Sequence, residues 1–371
     1  MNIIKSIIKQ SVSIAISVAM TAAPVKEETT IRVLLMTTGY GGYFHDTVEY
    51  VEHPEEGTFQ ILSIERECGN PEYKGTLEVK ETEQGYLLIN EVPLEDYVKG
   101  VVPGEMPSSY EMEALKVQAI CARTYACRQK KEKRLEAYGA DVDDSVNFQV
   151  YNNQKRTDKT NQAADDTKGM IMTYEGEPIQ AYFFSTSSGA TSTDEVWLED
   201  SAPCLKSIVT NYDEAMPWYR WNVIFTAEQV QDLLESKGYS IGEVKDINVL
   251  RKSQGGAVTV CRFTGTNDSA TIENEYNIRE ILSPKGLQIH RQDGTVVDDF
   301  LLLPSAYFDI EKHVQEEGST VFTIYGGGYG HGVGLSQNGA NEMAKQGFEC
   351  YDILNYYYKD FQMVKNVSFD H

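Results

Sequence analysis

The chain has 371 residues, 41% of them hydrophobic and 24% charged, the balance of a folded protein and more length than one hydrophobic core ordinarily serves. Its 33 Lys and Arg face 56 Asp and Glu, for a net charge of -23; a surface of that sign repels phosphate backbones, which argues against nucleic acid as a partner. Anionic lipid and anionic wall polymers are repelled for the same reason, so a neutral or weakly charged ligand is favoured.

At the start of the chain, Lys5 and Lys9 precede SVSIAISVAMTAAP, a basic, then apolar, then small-residue order that marks a secretory signal. The apolar run is shorter than the ~20 residues of a membrane span, and a cut after Ala23 would leave Pro24 just beyond the scissile bond. Residues 1–24 are therefore expected to direct export to the cell envelope, either as a cleaved signal or as a retained membrane anchor. From Thr30 to Asn90 the runs IRVLLMT, TFQILSI, GTLEVKE and GYLLIN read as strands separated by Gly, Asn or Pro. The period then changes: VPLEDYVKGV has helical spacing and is expected to stop at Pro103.

A long helix follows in SSYEMEALKVQAICARTYACRQKKEKR, with Ser108 and Glu111 at capping-box spacing and a stripe of Met112, Leu115, Ala119, Ala122 and Ala126. Residues 141–161 read as loop. GMIMTYEGEPIQAYFF reads as a hairpin turning at Gly176 and entering a Ser/Thr/Gly loop. From Leu198 to about Leu303 a helix pattern, TAEQVQDLLESKG, and strands such as GAVTVCRF suggest an inserted unit. VFTIYGGGYGHGVG then returns as a strand into a Gly-rich loop, and SQNGANEMAKQG and CYDILNYYYKDF close the chain as helices. The expected fold is α+β in two subdomains: residues 30–197 and 304–371 form a helix/sheet core, and 198–303 a smaller inserted unit.

Chemistry-bearing residues are few. The six cysteines form no C-x-x-C and have no histidine at metal-site spacing, so they read as scattered core residues, with a disulfide open in an exported chain. GGGYGHGVG meets neither nucleotide fingerprint; its glycines instead give the backbone close approach around His331, which can pin the loop or contact substrate. STSSG at residues 185–189 offers hydroxyls for hydrogen bonding more readily than a nucleophile. Lys116 and Arg123 share a helix face, either as a solvated stripe paired with Glu111 or Glu113 or as partly buried cations near Glu105. In VVPGEMPSSY, Glu105 sits beside Met106 and Pro107, apolar walls that raise a carboxyl pKa, as a general acid requires. Among the 23 tyrosines and few tryptophans, Tyr125 and Trp197 are the aromatic faces expected in a ligand groove.

The runs LEDYVKGVVPGEMP, LKVQAICARTYA, AYFFSTSSGATS ending at VW, and GGGYGHGVGLSQNGANEMAKQG with DILNYYY resemble, in this order, four blocks of the stage II sporulation protein D family, which includes the amidase-enhancer proteins. YKGTLEV and LLPSAYFDI extend the likeness over nearly the whole chain. The resemblance implies a lytic transglycosylase that cleaves peptidoglycan between N-acetylmuramic acid and N-acetylglucosamine and leaves a 1,6-anhydro end. It places the family's catalytic glutamate on Glu105, and functional residues on Lys116, Arg123, Ser185, Thr186, Gly189 and His331; Gln337, in the LSQNG run, is counted with these substrate-binding positions.

The resemblance further implies glycan strands stripped of stem peptides as substrate. Its setting would be engulfment during sporulation, with a peptidoglycan amidase and a membrane partner of the engulfment machinery. Some relatives bind zinc, but SVNFQVY and FFSTSSG carry no Cys or His where those ligands fall, so no metal and no cofactor is expected. Two alternatives stand beside the lyase. One is a non-catalytic wall-binding enhancer of an amidase. The other is a hydrolase, which would need Asp194 or Glu195 close to Glu105.

Overall fold

The computed structural model describes residues 29–199, 202–316 and 318–365; the export segment expected at 1–24 lies outside them. Among the described residues no helix is long and apolar enough to cross a membrane. The helices are α1 (Leu94–Glu105), α2 (Met112–Glu132), α3 (Asp158–Asp166), α4 (Ala227–Ser236), α5 (Glu275–Ile281), α6 (Gln337–Lys345) and α7 (Cys350–Tyr357). With several small sheets they form the expected α+β fold around two hydrophobic cores.

In the first core, strand Thr30–Leu35 lies inside a four-stranded sheet, antiparallel to Gly85–Pro93 with Val33 opposite Asn90, and parallel to Val142–Asp143. α1 turns Tyr97, Val98, Val101 and Val102 inward. It does not stop at Pro103. A proline removes one i to i−4 bond, but here only the last turn is affected, and the Met106 N–H still donates to the Val102 carbonyl at 2.9 Å. Glu105 is therefore the last residue of α1.

α2 begins at Met112, three residues later than a Ser108 cap would start it. Its N-cap is Glu111, without a side-chain cap, because the chain first makes a turn closed by the Tyr110 N–H on the Pro107 carbonyl at 3.0 Å. The Glu111 N–H is taken instead by Asn341 Oδ1 of α6, at 2.8 Å. Leu115, Ala119, Ala122 and Ala126 are fully buried; the small stripe lets α1, α3, α6 and α7 close around α2. The hairpin expected after residue 169 forms, with Met170–Tyr174 antiparallel to Glu177–Pro178 and Gly176 at φ 85.

The second core gathers Trp221, Phe225, Val230, Leu234, Phe263, Ile278 and Phe322. α4 starts on a capping box made by Thr226 and Gln229. Strand Thr320–Gly326, read from the sequence as part of the returning core, belongs here: it pairs antiparallel with Trp221–Thr226, Val223 opposite Ile324. Its alternate residues Phe322 and Ile324 are what the second core buries. The chain returns through the Gly-rich loop, and Leu335–Ser336 then pairs parallel with Phe183–Phe184. At Gly334, φ is +77 and a Cβ would lie 2.2 Å from the Tyr182 carbonyl oxygen, so only glycine lets the returning strand come this close.

Candidate active site

Glu105 is placed by a backbone contact. A Cβ on Gly104 would lie 2.6 Å from the Val150 carbonyl oxygen, so glycine lets the segment around Val150 lie directly on α1. That approach brings the Val150 N–H to Glu105 Oε1 at 2.6 Å. A glycine inside a helix ordinarily costs about 1 kcal/mol relative to alanine. Here the sign should reverse: Gly104→Ala is expected to lower stability by about 1–3 kcal/mol through overpacking, seen as an earlier urea midpoint. A later midpoint would mean that the contact does not constrain α1.

The side chain of Gln337, the first residue of α6, stands near the Glu105 carboxyl and favours its charged form. Gln337 Nε2 also donates to Gln118 Oε1 at 3.3 Å. Burial pushes the Glu105 pKa up to about 7, against the Val150 N–H and the Gln337 amide, which pull it down. The C-terminal end of α1 acts in the same upward direction, because a helix end of partial negative charge disfavours a carboxylate. The residue still keeps a partly exposed edge. The result is a carboxyl poised between its protonated and ionised forms near neutral pH.

The Ser185–Gly189 loop is tied to the same helix. Asn338 Nδ2 donates to the Ser185 carbonyl at 3.1 Å and to Thr186 Oγ1 at 3.0 Å, while its Oδ1 accepts from the Tyr110 hydroxyl at 2.6 Å. Tyr110 lies in the turn that follows Glu105, so acid, turn, loop and α6 form one network. Gly189 closes the far end of the loop, its carbonyl accepting from the Thr210 N–H at 3.0 Å. Asp213 anchors the middle: its Oδ1 accepts from the Ser187 N–H at 3.1 Å and from the Ser336 hydroxyl at 2.6 Å. Burial raises its pKa to about 7. Asp213 lies in no motif of the sequence, and Asn338 and Gln118 lie inside quoted blocks without having been singled out; the fold shows what each of them does.

Other sequence-selected residues form no hydrogen bond or ion pair with the Glu105 carboxyl. Arg123 is 1% exposed. It makes a bidentate pair with Glu95 of α1 at 2.9 and 2.8 Å and donates to the carbonyls of Ala119, Ala164 and Met170. Lys116 pairs with Glu113 at 2.8 Å and with Asp166 of α3 at 3.4 Å. Neither cation touches the Glu105 carboxyl.

His331 Nδ1 accepts from the Val333 N–H at 3.0 Å, which leaves the proton on Nε2, facing the Phe183 carbonyl at 3.0 Å. Burial lowers its pKa to about 4, so it pins the Gly-rich loop as a neutral ring. It shares an aromatic cluster with Tyr182 and Trp197, and Tyr182 in turn meets Tyr125. Tyr125 is buried, and Trp197 Nε1 donates to Glu275 at 3.0 Å. Asp194 accepts from the Ala202 N–H and Glu195 from the Gln254 N–H; both are committed to backbone amides and neither pairs with Glu105. Among the described residues no group of His, Cys, Asp and Glu gathers in a geometry that could hold a metal ion.

A lone carboxyl with a raised pKa, no basic partner and a fixed backbone is the equipment of a general acid, here in a two-core α+β protein. Residues 82–174 match the family model described as Stage II sporulation protein. A second model, described as a domain of unknown function, matches residues 192–334. The chain is 34% identical over 295 residues to Stage II sporulation protein D of Bacillus subtilis (strain 168), covering 76% of this chain and 77% of that protein. It is 33% identical to the protein of that name from Bacillus amyloliquefaciens, with the same coverage of each chain. A likeness to the Amidase enhancer of B. subtilis is lower, 28% over 70% of this chain, and spans 39% of that protein. The chain belongs to the stage II sporulation protein D family.

Proposed function

We propose that this chain is a lytic transglycosylase acting on peptidoglycan glycan strands, cutting between N-acetylmuramic acid and N-acetylglucosamine. The observation that carries the reading is Glu105, whose pKa is held near 7 by burial with no second carboxylate paired to it. A hydrolase ordinarily uses two carboxylates, one for the leaving group and one for water or the sugar. One is enough when the sugar supplies its own nucleophile. Protonated Glu105 gives its proton to the glycosidic oxygen as the bond to the anomeric carbon breaks. The carboxylate then takes the proton of the muramic acid C6 hydroxyl as that oxygen bonds the anomeric carbon, closing a 1,6-anhydro ring and restoring the acid. Both halves work best with a pKa near the working pH.

The Val150 N–H and Gln337 orient the carboxyl, and the Ser185–Gly189 loop with Asn338 offers hydroxyl and amide groups beside it. The family relationship supports a substrate stripped of stem peptides by an amidase, and a place in wall remodelling during sporulation beside a membrane-held partner. Because the protonated form begins the reaction, kcat/KM is expected to fall about tenfold per pH unit above a break near pH 7, where burial sets the Glu105 pKa. A flat profile from pH 6 to 9 would remove Glu105 as the acid. The deciding experiment incubates the chain with purified strands, with and without stem peptides, and weighs the fragments. Anhydro ends support the lyase and reducing ends a hydrolase. Intact strands together with a faster amidase would make the chain an enhancer.

A further inference from the structure

The second unit carries a surface that cleavage at Glu105 leaves unused. Across its five-stranded sheet the register sets four side chains in one row: His290 opposite Asn222, Asn222 opposite Tyr325, Tyr325 opposite Asp309. Side chains alternate faces along a strand. The sequence neighbours Trp221 and Phe308 therefore enter the core, while this row stands on the outer face, with Tyr325 47% exposed. The row borders a cavity of about 480 Å³.

Charge singles this cavity out. In a chain of net charge -23, it is lined by Arg220, Lys252 and Arg291 against one carboxylate, Asp309. Lys252 pairs with that carboxylate at 2.7 Å. Arg220 instead donates to the carbonyls of Ser188 and Tyr219, at 2.8 and 2.6 Å. Arg291 donates to the Thr295 hydroxyl at 2.7 Å, with Asp293 4.0 Å from its Nε. Arg220, held by carbonyls and not by a carboxylate, thus brings positive charge beside an exposed aromatic ring, an amide and an imidazole, while Arg291 shares its charge with Asp293. That set suits a pyranose with an anionic substituent: the ring stacks on the sugar face, the amide and imidazole take hydroxyls, and a guanidinium takes a carboxylate.

Building on the reading of the chain as glycan-cleaving, we infer that this cavity is a second glycan-binding site, separate from Glu105, that takes a muramyl sugar whose lactyl carboxylate is free. That carboxylate is free only where the stem peptide has been removed, so the site selects stripped strands by charge. The Ser185–Gly189 loop reaches both places: Ser188 lines the cavity, while Ser185 and Thr186 are bonded to Asn338, next to Gln337 and the acid.

The test is calorimetric titration of the non-cleaving Glu105→Gln chain with three probes: stripped strands, strands that retain stem peptides, and a chitin hexamer, which has no lactyl group. Stripped strands should bind at least about tenfold tighter than either other probe. Adding Tyr325→Ser or Arg220→Gln should each weaken stripped-strand binding about tenfold, the scale of one stacked ring or one charge-assisted bond; Tyr325, on the exposed face, separates the effect from any loosening of the Ser188 loop. Equal binding of the hexamer, or unchanged binding by both variants, overturns the inference. Cleavage by the wild-type chain is scored separately. Loss of binding in the variants with no cleavage by wild type leaves the site standing and removes the lyase reading. Cleavage with unaffected binding does the reverse.

Discussion

Glu105→Gln is expected to slow strand cleavage by about 10²- to 10⁴-fold, the range of a single general acid, with the fold intact. The side chains are close in shape, and the glutamine carbonyl oxygen can still accept from the Val150 N–H that meets Oε1 at 2.6 Å. What is lost is the proton. The substitution also removes the group whose charging is opposed by burial, so above neutral pH the variant should unfold no earlier than the wild type. Product mass spectrometry together with a thermal scan checks both halves. Substantial turnover by a folded Glu105→Gln chain would show that another group protonates the leaving oxygen.

The second large effect is on stability. Arg123→Ala should cost about 3–5 kcal/mol, because it leaves the Glu95 carboxylate facing α2 without its bidentate partner. It also frees the carbonyls of Ala119, Ala164 and Met170 from their donor. Arg123→Lys should recover little of this, since an ammonium cannot reproduce the two-pronged contact with Glu95. A urea titration reads the loss as a lower midpoint. Below that midpoint the surviving folded fraction should bind glycan strands with unchanged affinity. Wild-type stability with weakened strand binding would instead return Arg123 to the substrate, where the family resemblance put it.

These two residues show how far the sequence could be read. An apolar setting that raises the Glu105 pKa was legible in its nearest neighbours, whereas its partners Val150 and Gln337 lie far along the chain and were not. The α2 stripe and the helical pattern of α4 were legible for the same reason, being sums of nearby spacings, whereas the Thr226 capping box that starts α4 was not read. What escaped depends on contacts between distant parts of the chain. Asn341 at the Glu111 amide displaced the Ser108 cap, and Asn338 joined Tyr110 to the Ser/Thr loop across 228 positions. Arg123 could be placed on a helix face, but not assigned to Glu95, because either face of α2 could have met solvent. The strand Thr320–Gly326 was read with the wrong core, since a strand pattern gives the spacing of its buried side chains and not the identity of the neighbour that buries them.

The place of Gln337 beside the acid also has a consequence in time. A ribosome delivers α1 long before it delivers α6, so a growing chain carries its glutamate without the amide that holds it and without the Asn338 tether on the turn beside it. The Glu105 site is therefore completed late, when the closing segment docks, and a chain truncated ahead of Leu335 should lack it even if its first core has folded.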